Sequence, residues 1–170
     1  SDEFAWLQRP LLPFKSRDIV SISRSDGKTW NITQSADDEE FSLETLPKGT
    51  ELRYPTIVSN YVDSLIELDF EQLLPLDAEL WQKAKVMAKI NVNLSQNQIL
   101  QLKIGSVEND YYVQFSSPTL NGYYLDWIYK VSSFSAQQLL KTKDDFLTEL
   151  TDTSGAKSPT LKIDEGDAPN

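Results

Sequence analysis

Val86-Met87-Ala88-Lys89-Ile90-Asn91-Val92-Asn93-Leu94 alternates almost without a break. Apolar side chains stand at 86, 88, 90, 92 and 94, and the polar Lys85, Lys89, Asn91 and Asn93 stand between them, with Met87 the exception. A period of two sustained this long is a strand with one buried and one wetter face. Ser95-Gln96-Asn97 then turns the chain, and Leu100, Leu102 and Ile104 continue as a partner strand closed by Gly105. Glu108-Asn109-Asp110 turns it again. Tyr111, Val113 and Phe115 form the next strand, Ser117 to Gly122 a loop, and Leu125, Trp127, Tyr129 and Val131 the last strand. Strands joined by turns this short pair antiparallel, because a parallel pair needs a crossover of a dozen or more residues.

Upstream of this meander, Ile19-Val20-Ser21-Ile22 is strand-like. Asp26-Gly27 supplies residues that tolerate positive φ, and Trp30 and Ile32 then share one face against Thr29, Asn31 and Thr33 on the other. Asp37-Asp38-Glu39-Glu40 reads as a charged turn, Phe41-Ser42-Leu43 as a short third strand, and Pro47-Lys48-Gly49 as another turn. Ile57, Val58, Tyr61, Val62, Leu65 and Ile66 make one stripe at helical spacing, with Pro55 tolerated in the first turn. Leu68 to Leu76 leads out of this helix, and Pro75 ends regular structure there. Ser135-Ala136-Gln137-Gln138 has the form of a capping box for a second helix, whose apolar side is Leu139, Leu140, Phe146, Leu147 and Leu150.

The order strands, helix, strands, helix predicts an α+β fold: a largely antiparallel sheet of short strands with two main helices packed on one face. Residues 15–150 form the single domain, a size that suits one core. Residues 1–14 are an extended leading segment, because Pro10 and Pro13 forbid a helix; its Trp6, Leu7, Leu11, Leu12 and Phe14 need cover and are expected to pack on the domain. Residues 151–170 lose nearly all apolar character and are expected to be a disordered acidic tail.

Composition narrows the chemistry. The chain has no His and no Cys, which removes imidazole bases, thiolate nucleophiles, disulfides and ordinary structural zinc sites. No bound metal or cofactor is expected. The 26 acidic against 16 basic residues give a net charge of −10, which argues against nucleic acid and against anionic lipid. No apolar run is long enough to span a membrane. The absence of Cys fits an oxidising compartment without requiring one.

Asp18-Ile19-Val20-Ser21-Ile22 followed by Gly27-Lys28-Thr29-Trp30-Asn31-Ile32 resembles the opening of an uncharacterised bacterial family, the domain of unknown function 4340 family. Phe41-Ser42-Leu43 with Leu46-Pro47-Lys48-Gly49, the helix through Leu65, and Ile104-Gly105 before Tyr112-Val113 keep the family's order over roughly residues 5–150. The resemblance implies a periplasmic or extracytoplasmic protein held by an N-terminal membrane helix of a longer parent. It further implies association with gliding-type ABC transport systems, so that the partners are envelope proteins, transporter components among them. It defines no catalytic residues.

The acidic run 37–40 lacks the spaced ligands and central Gly of a calcium loop and reads as a solvated turn. No nucleophile-elbow, P-loop or dinucleotide motif is present, and catalysis is not expected. Alternation assigns Tyr111, Trp127 and Tyr129 to the core face with Val113 and Phe115, and Tyr112 and Tyr124 to the opposite one. The candidate interaction surface is therefore Tyr123 and Tyr124 with Ser117 and Asn121 of the adjoining loop. A non-enzymatic protein-binding module is the leading expectation. A glycan- or small-ligand-binding module using exposed aromatics is the alternative, and a carboxylate-based hydrolase a more distant third.

Overall fold

A computed structural model describes residues 11–150. Eight strands make one antiparallel sheet: β1 (Ile19–Arg24), β2 (Trp30–Gln34), β3 (Phe41–Leu43), β5 (Gln72–Pro75), β6 (Lys85–Leu94), β7 (Gln98–Val107), β8 (Asp110–Ser116) and β9 (Trp127–Val131). Their spatial order is β3-β2-β1-β6-β7-β8-β9-β5, with all neighbours antiparallel. β4 (Thr50–Leu52) and β10 (Leu147–Glu149) form a separate two-stranded sheet. Helices α1 (Ile57–Ile66), α2 (Glu79–Gln82), α3 (Ser133–Leu139) and α4 (Lys143–Phe146) complete the fold. This is the α+β architecture expected from the strand and helix order.

The β6 alternation decides the packing. Ala88, Ile90, Val92 and Leu94 of β6 are buried, as are Leu100, Leu102 and Ile104 of β7 and Val113 and Phe115 of β8. They meet the α1 stripe of Ile57, Val58, Tyr61, Val62 and Leu65 and the inner side of α3, Ala136 and Leu139. Val86 breaks the rule and is 47% exposed, because a bulge between Val86 and Ala88 shifts the register against β7. Leu11 and Leu12 are also buried, and the Leu11 N–H donates to the Leu68 carbonyl at 3.2 Å. Residues 1–10, with Trp6 and Leu7, and the tail at 151–170 lie outside the described residues.

Three expectations are corrected. Residues 72–75 are a strand, β5, at one edge of the large sheet. Pro75 does not forbid this, because an edge position next to β9 needs no donor on its outer side. The second helix is two short ones and a strand. α3 starts earlier than the capping-box pattern indicates, with Ser132 as N-cap accepting from the Ser135 N–H at 3.0 Å. The box forms instead at Thr142 and Asp145, opening α4, after which Leu147 pairs with β4. Finally, the sheet face opposite α1 and α3 is not simply wet. The short helix α2 lays Trp81 over Tyr112 and Ile128 to make a second small apolar cluster.

Candidate functional site

The most heavily connected polar group is one the sequence reading passed over. Arg24 ends β1 two residues after the buried Ile22, so its side chain leaves the strand toward the core, and it is only 4% exposed. All five of its N–H groups are engaged. Nε and Nη2 donate to the Asp26 carboxylate at 2.8 and 3.2 Å, Nη1 to the carbonyls of Leu140 at 2.6 Å and Lys141 at 3.2 Å, and Nη2 also to the Met87 carbonyl at 3.0 Å. Trp30 Nε1 donates to the same Lys141 carbonyl at 2.8 Å, and the Tyr61 hydroxyl to Leu139 at 2.9 Å. Three successive carbonyls at the end of α3 are thus capped by side chains from β1, β2 and α1. These are the acceptors a helix leaves without an intrahelical partner. Trp30, Tyr61 and Phe146 pack edge-on or tilted beside them, with centroids 4.9 to 5.7 Å apart.

The Arg24 guanidinium holds the Asp26 carboxyl below its ordinary range, first through the hydrogen bond and against the opposing effect of burial. A general acid needs the opposite displacement. Burial pushes the Tyr61 hydroxyl far up. A cavity of about 430 Å³ opens beside this cluster, lined by Ser23, Ser25, Thr29, Asn31, Glu44 and Lys143. Arg24 also lines it, but with every donor occupied it has none left for a ligand. Beside the apolar Trp30 and Leu43, the cavity offers hydroxyls, an amide and one charge of each sign.

The sequence-derived surface divides. Tyr123 is 71% exposed and Asn121 is exposed. Tyr124 is not a surface residue. It is buried, its ring edge-on to Phe115 at 6.3 Å and to Phe14 at 6.2 Å, and its carbonyl accepts from the Tyr129 hydroxyl at 2.9 Å. The reason is local: residues 123–126 form a turn of 3₁₀ helix rather than continuing the strand, so strand alternation does not apply there. Gly122 serves the same turn, with φ +148° and a position where a Cβ would stand 2.5 Å from Tyr124 Cε1. Ser117 also works within the loop. Its Oγ accepts from the N–H groups of Thr119 at 3.0 Å and Leu120 at 2.8 Å and donates to the Ile99 carbonyl. Tyr112 does face away from the main core, as alternation requires, but Trp81 covers it. Burial, with Asp110 adding to it, raises the Tyr112 hydroxyl pKa. Trp81 Nε1 donates to Gln114 at 3.2 Å, and Lys103 Nζ lies 5.6 Å from the indole centroid.

Three surfaces remain. Phe134 on α3 is 73% exposed and Tyr123 nearly as much, the highest values among the large apolar side chains described. The open half of the sheet face is polar and linked side chain to side chain: Asn93 to Ser21 at 2.9 Å, Asn91 to Ser25 at 3.3 Å, and Gln101 to Asn91 at 3.3 Å. No Asp or Glu occurs in the adjoining strands β2, β1, β6 and β7, although the chain carries 26. The acidic charge gathers elsewhere, at Asp37–Glu40, where every residue is exposed and none forms a salt bridge within the described residues.

Among the described residues, no group of three or more His, Cys, Asp or Glu is arranged to hold a metal ion, and no helix is long and apolar enough to cross a membrane. No known family model, curated protein or solved structure matches the chain.

Proposed function

We propose that this chain is a non-enzymatic module that works by protein–protein contact in an extracytoplasmic, membrane-anchored assembly associated with an ABC transporter. The observation that carries the contact is the pair Tyr123 and Phe134. Each leaves some seven-tenths of its surface in water, against 41% for Tyr54, the next most exposed aromatic ring among the described residues. Burying such a side chain is worth roughly 1.5–3 kcal/mol, and exposed aromatics are the side chains that most often anchor protein interfaces. They stand at opposite ends of β9, so they mark either two contacts or one long one. The envelope setting rests on the sequence resemblance alone.

A second reading, glycan binding, is favoured by the open sheet face. Its linked Asn, Gln and Ser side chains both donate and accept, as sugar hydroxyls do.

Photo-crosslinking amino acids placed at 123, at 134 and, as a control, at the exposed polar Gln82 test the leading reading in the native cell. Discrete protein adducts from 123 or 134, and none from 82, are expected. Absence of adducts from both aromatic sites, with retention of the purified chain on immobilised envelope polysaccharide, would replace it with the second reading.

A further inference from the structure

β3 is one of the two outer strands of the eight-stranded sheet. Its register against β2 pairs Ile32 with Leu43, Thr33 with Ser42 and Gln34 with Phe41, and the flanking bonds run from Glu44 N to Asn31 O and from Ser35 N to Glu40 O. Hydrogen-bonded pairs alternate with non-bonded ones, so Glu40, Ser42 and Glu44 direct their main-chain groups into the sheet, and Phe41 and Leu43 direct theirs outward. Leu43 is covered at 7% exposure, but Phe41 and Ser42 are not. Beside Phe41 the rim is concave. A groove of about 390 Å³ separates β3 from α1, walled by Glu39 and Glu40 on the strand side and by Thr56, Ser59 and Asp63 on the helix side.

Unpaired main-chain groups at a sheet edge accept an added strand unless something blocks them. Here the edge carries no proline and no lysine, and a helix stands alongside it at the distance of a groove. The charge selects the occupant. Glu39, Glu40 and Asp63 line the groove, Asp37 and Asp38 stand next to it in sequence, and no salt bridge neutralises any of them within the described residues.

We infer that the β3–α1 groove takes an extended basic peptide segment of a partner protein. Its main chain pairs with Phe41, and its Lys or Arg side chains lie toward Glu39, Glu40 and Asp63. The inference rests on the protein-contact reading and gives it a surface and a partner class. The occupant is extended because it must match a strand edge, and basic because an acidic or neutral segment would meet these carboxylates without compensation.

A bead library of randomised peptides of about eight residues, screened against the whole chain, tests this. Selected peptides are expected to carry Lys or Arg at alternate positions. In isotope-edited NMR they should shift the amides of Phe41–Leu43 and of the first two turns of α1. Glu40→Lys combined with Asp63→Lys should weaken binding at least about tenfold, and raising salt should weaken it further. Methylating alternate peptide nitrogens should abolish it while leaving the protein untouched, which separates main-chain pairing from charge attraction. Phe41→Pro, which removes an outward N–H that the ladder does not use, should act in the same direction. Selected peptides without basic bias, shifts confined to other surfaces, full binding by the N-methylated peptides, or no binder at all would overturn the inference. If it fails while crosslinks form at 123 or 134, the groove is wrong and the protein-contact reading stands. If both fail, the reading itself is wrong.

Discussion

Replacing Arg24 with methionine keeps the aliphatic stem in place and deletes five hydrogen bonds. Lys141 retains the Trp30 donor, but the carbonyls of Leu140 and Met87 lose these donors, and Asp26 loses its only salt bridge within the described residues. A buried acceptor left without a partner costs roughly 1–3 kcal/mol. Two of them, together with the altered setting of Asp26, give about 3–5 kcal/mol, the range measured when one partner of a buried ion pair is removed. Domains of this size have roughly 5–15 kcal/mol in total, so about a fifth or more of the stability is at stake. In urea, with a slope of about 2 kcal/mol per molar, the unfolding midpoint should fall by about 2 M. The solvent-exposed Arg17→Met serves as the control and should barely move it. A midpoint shift under about 0.5 M for Arg24→Met would refute the view that this side chain holds the end of α3 to the sheet.

Ile90→Asp places an unpaired charge in the helix-covered face and should cost several kcal/mol, enough to unfold the domain, whereas Asn91→Asp on the open face should be mild; thermal melting compares them. Asp26 has a depressed native pKa, so its contribution is present above its unfolded value of 3.8 and is lost as pH falls through the native value; urea midpoints should decline below about pH 4, less steeply in Asp26→Asn. Tyr61 and Tyr129 have raised native pKa values, so their contribution is present below the unfolded value of 10.0 and is lost as pH rises beyond it, and midpoints should fall above about pH 10, less in Tyr61→Phe. Gly105→Val would set a Cβ 2.8 Å from Trp81 Cζ3 and should lift α2 off the sheet, seen as faster amide exchange at residues 79–82 with the main core intact.

Much of this architecture was written in periodicity. The β6 alternation, the α1 stripe and the β1–β2 hairpin are local signals, and they read correctly because the buried side of each is mainly apolar, with Arg24 on β1 and the bulged Val86 on β6 as the exceptions. The residues from Leu68 to Leu76 and from Ser133 to Leu150 did not read, because their elements are only three to seven residues long and owe their form to a neighbour: β5 to β9, and β10 to β4. The candidate site was half legible. Tyr123 is exposed as its place beside a loop suggested, but the 3₁₀ turn that buries Tyr124 has no two-residue period to reveal it. Arg24 did leave a trace, a charge at the same parity as Ile22 on a strand. Its three acceptors lie more than sixty residues away in sequence, where no local pattern reaches.

The most direct test of a module that acts by contact is the size of the assembly in which it travels. On the proposed envelope assignment, the full-length parent carrying this domain, from gently solubilised native envelopes, should elute on size exclusion in a complex well above its own mass. The same parent with Tyr123→Ser and Phe134→Ser, folded to an unchanged melting temperature, should elute free. Co-elution of the double variant with the complex, or elution of the unaltered parent alone, would contradict the account.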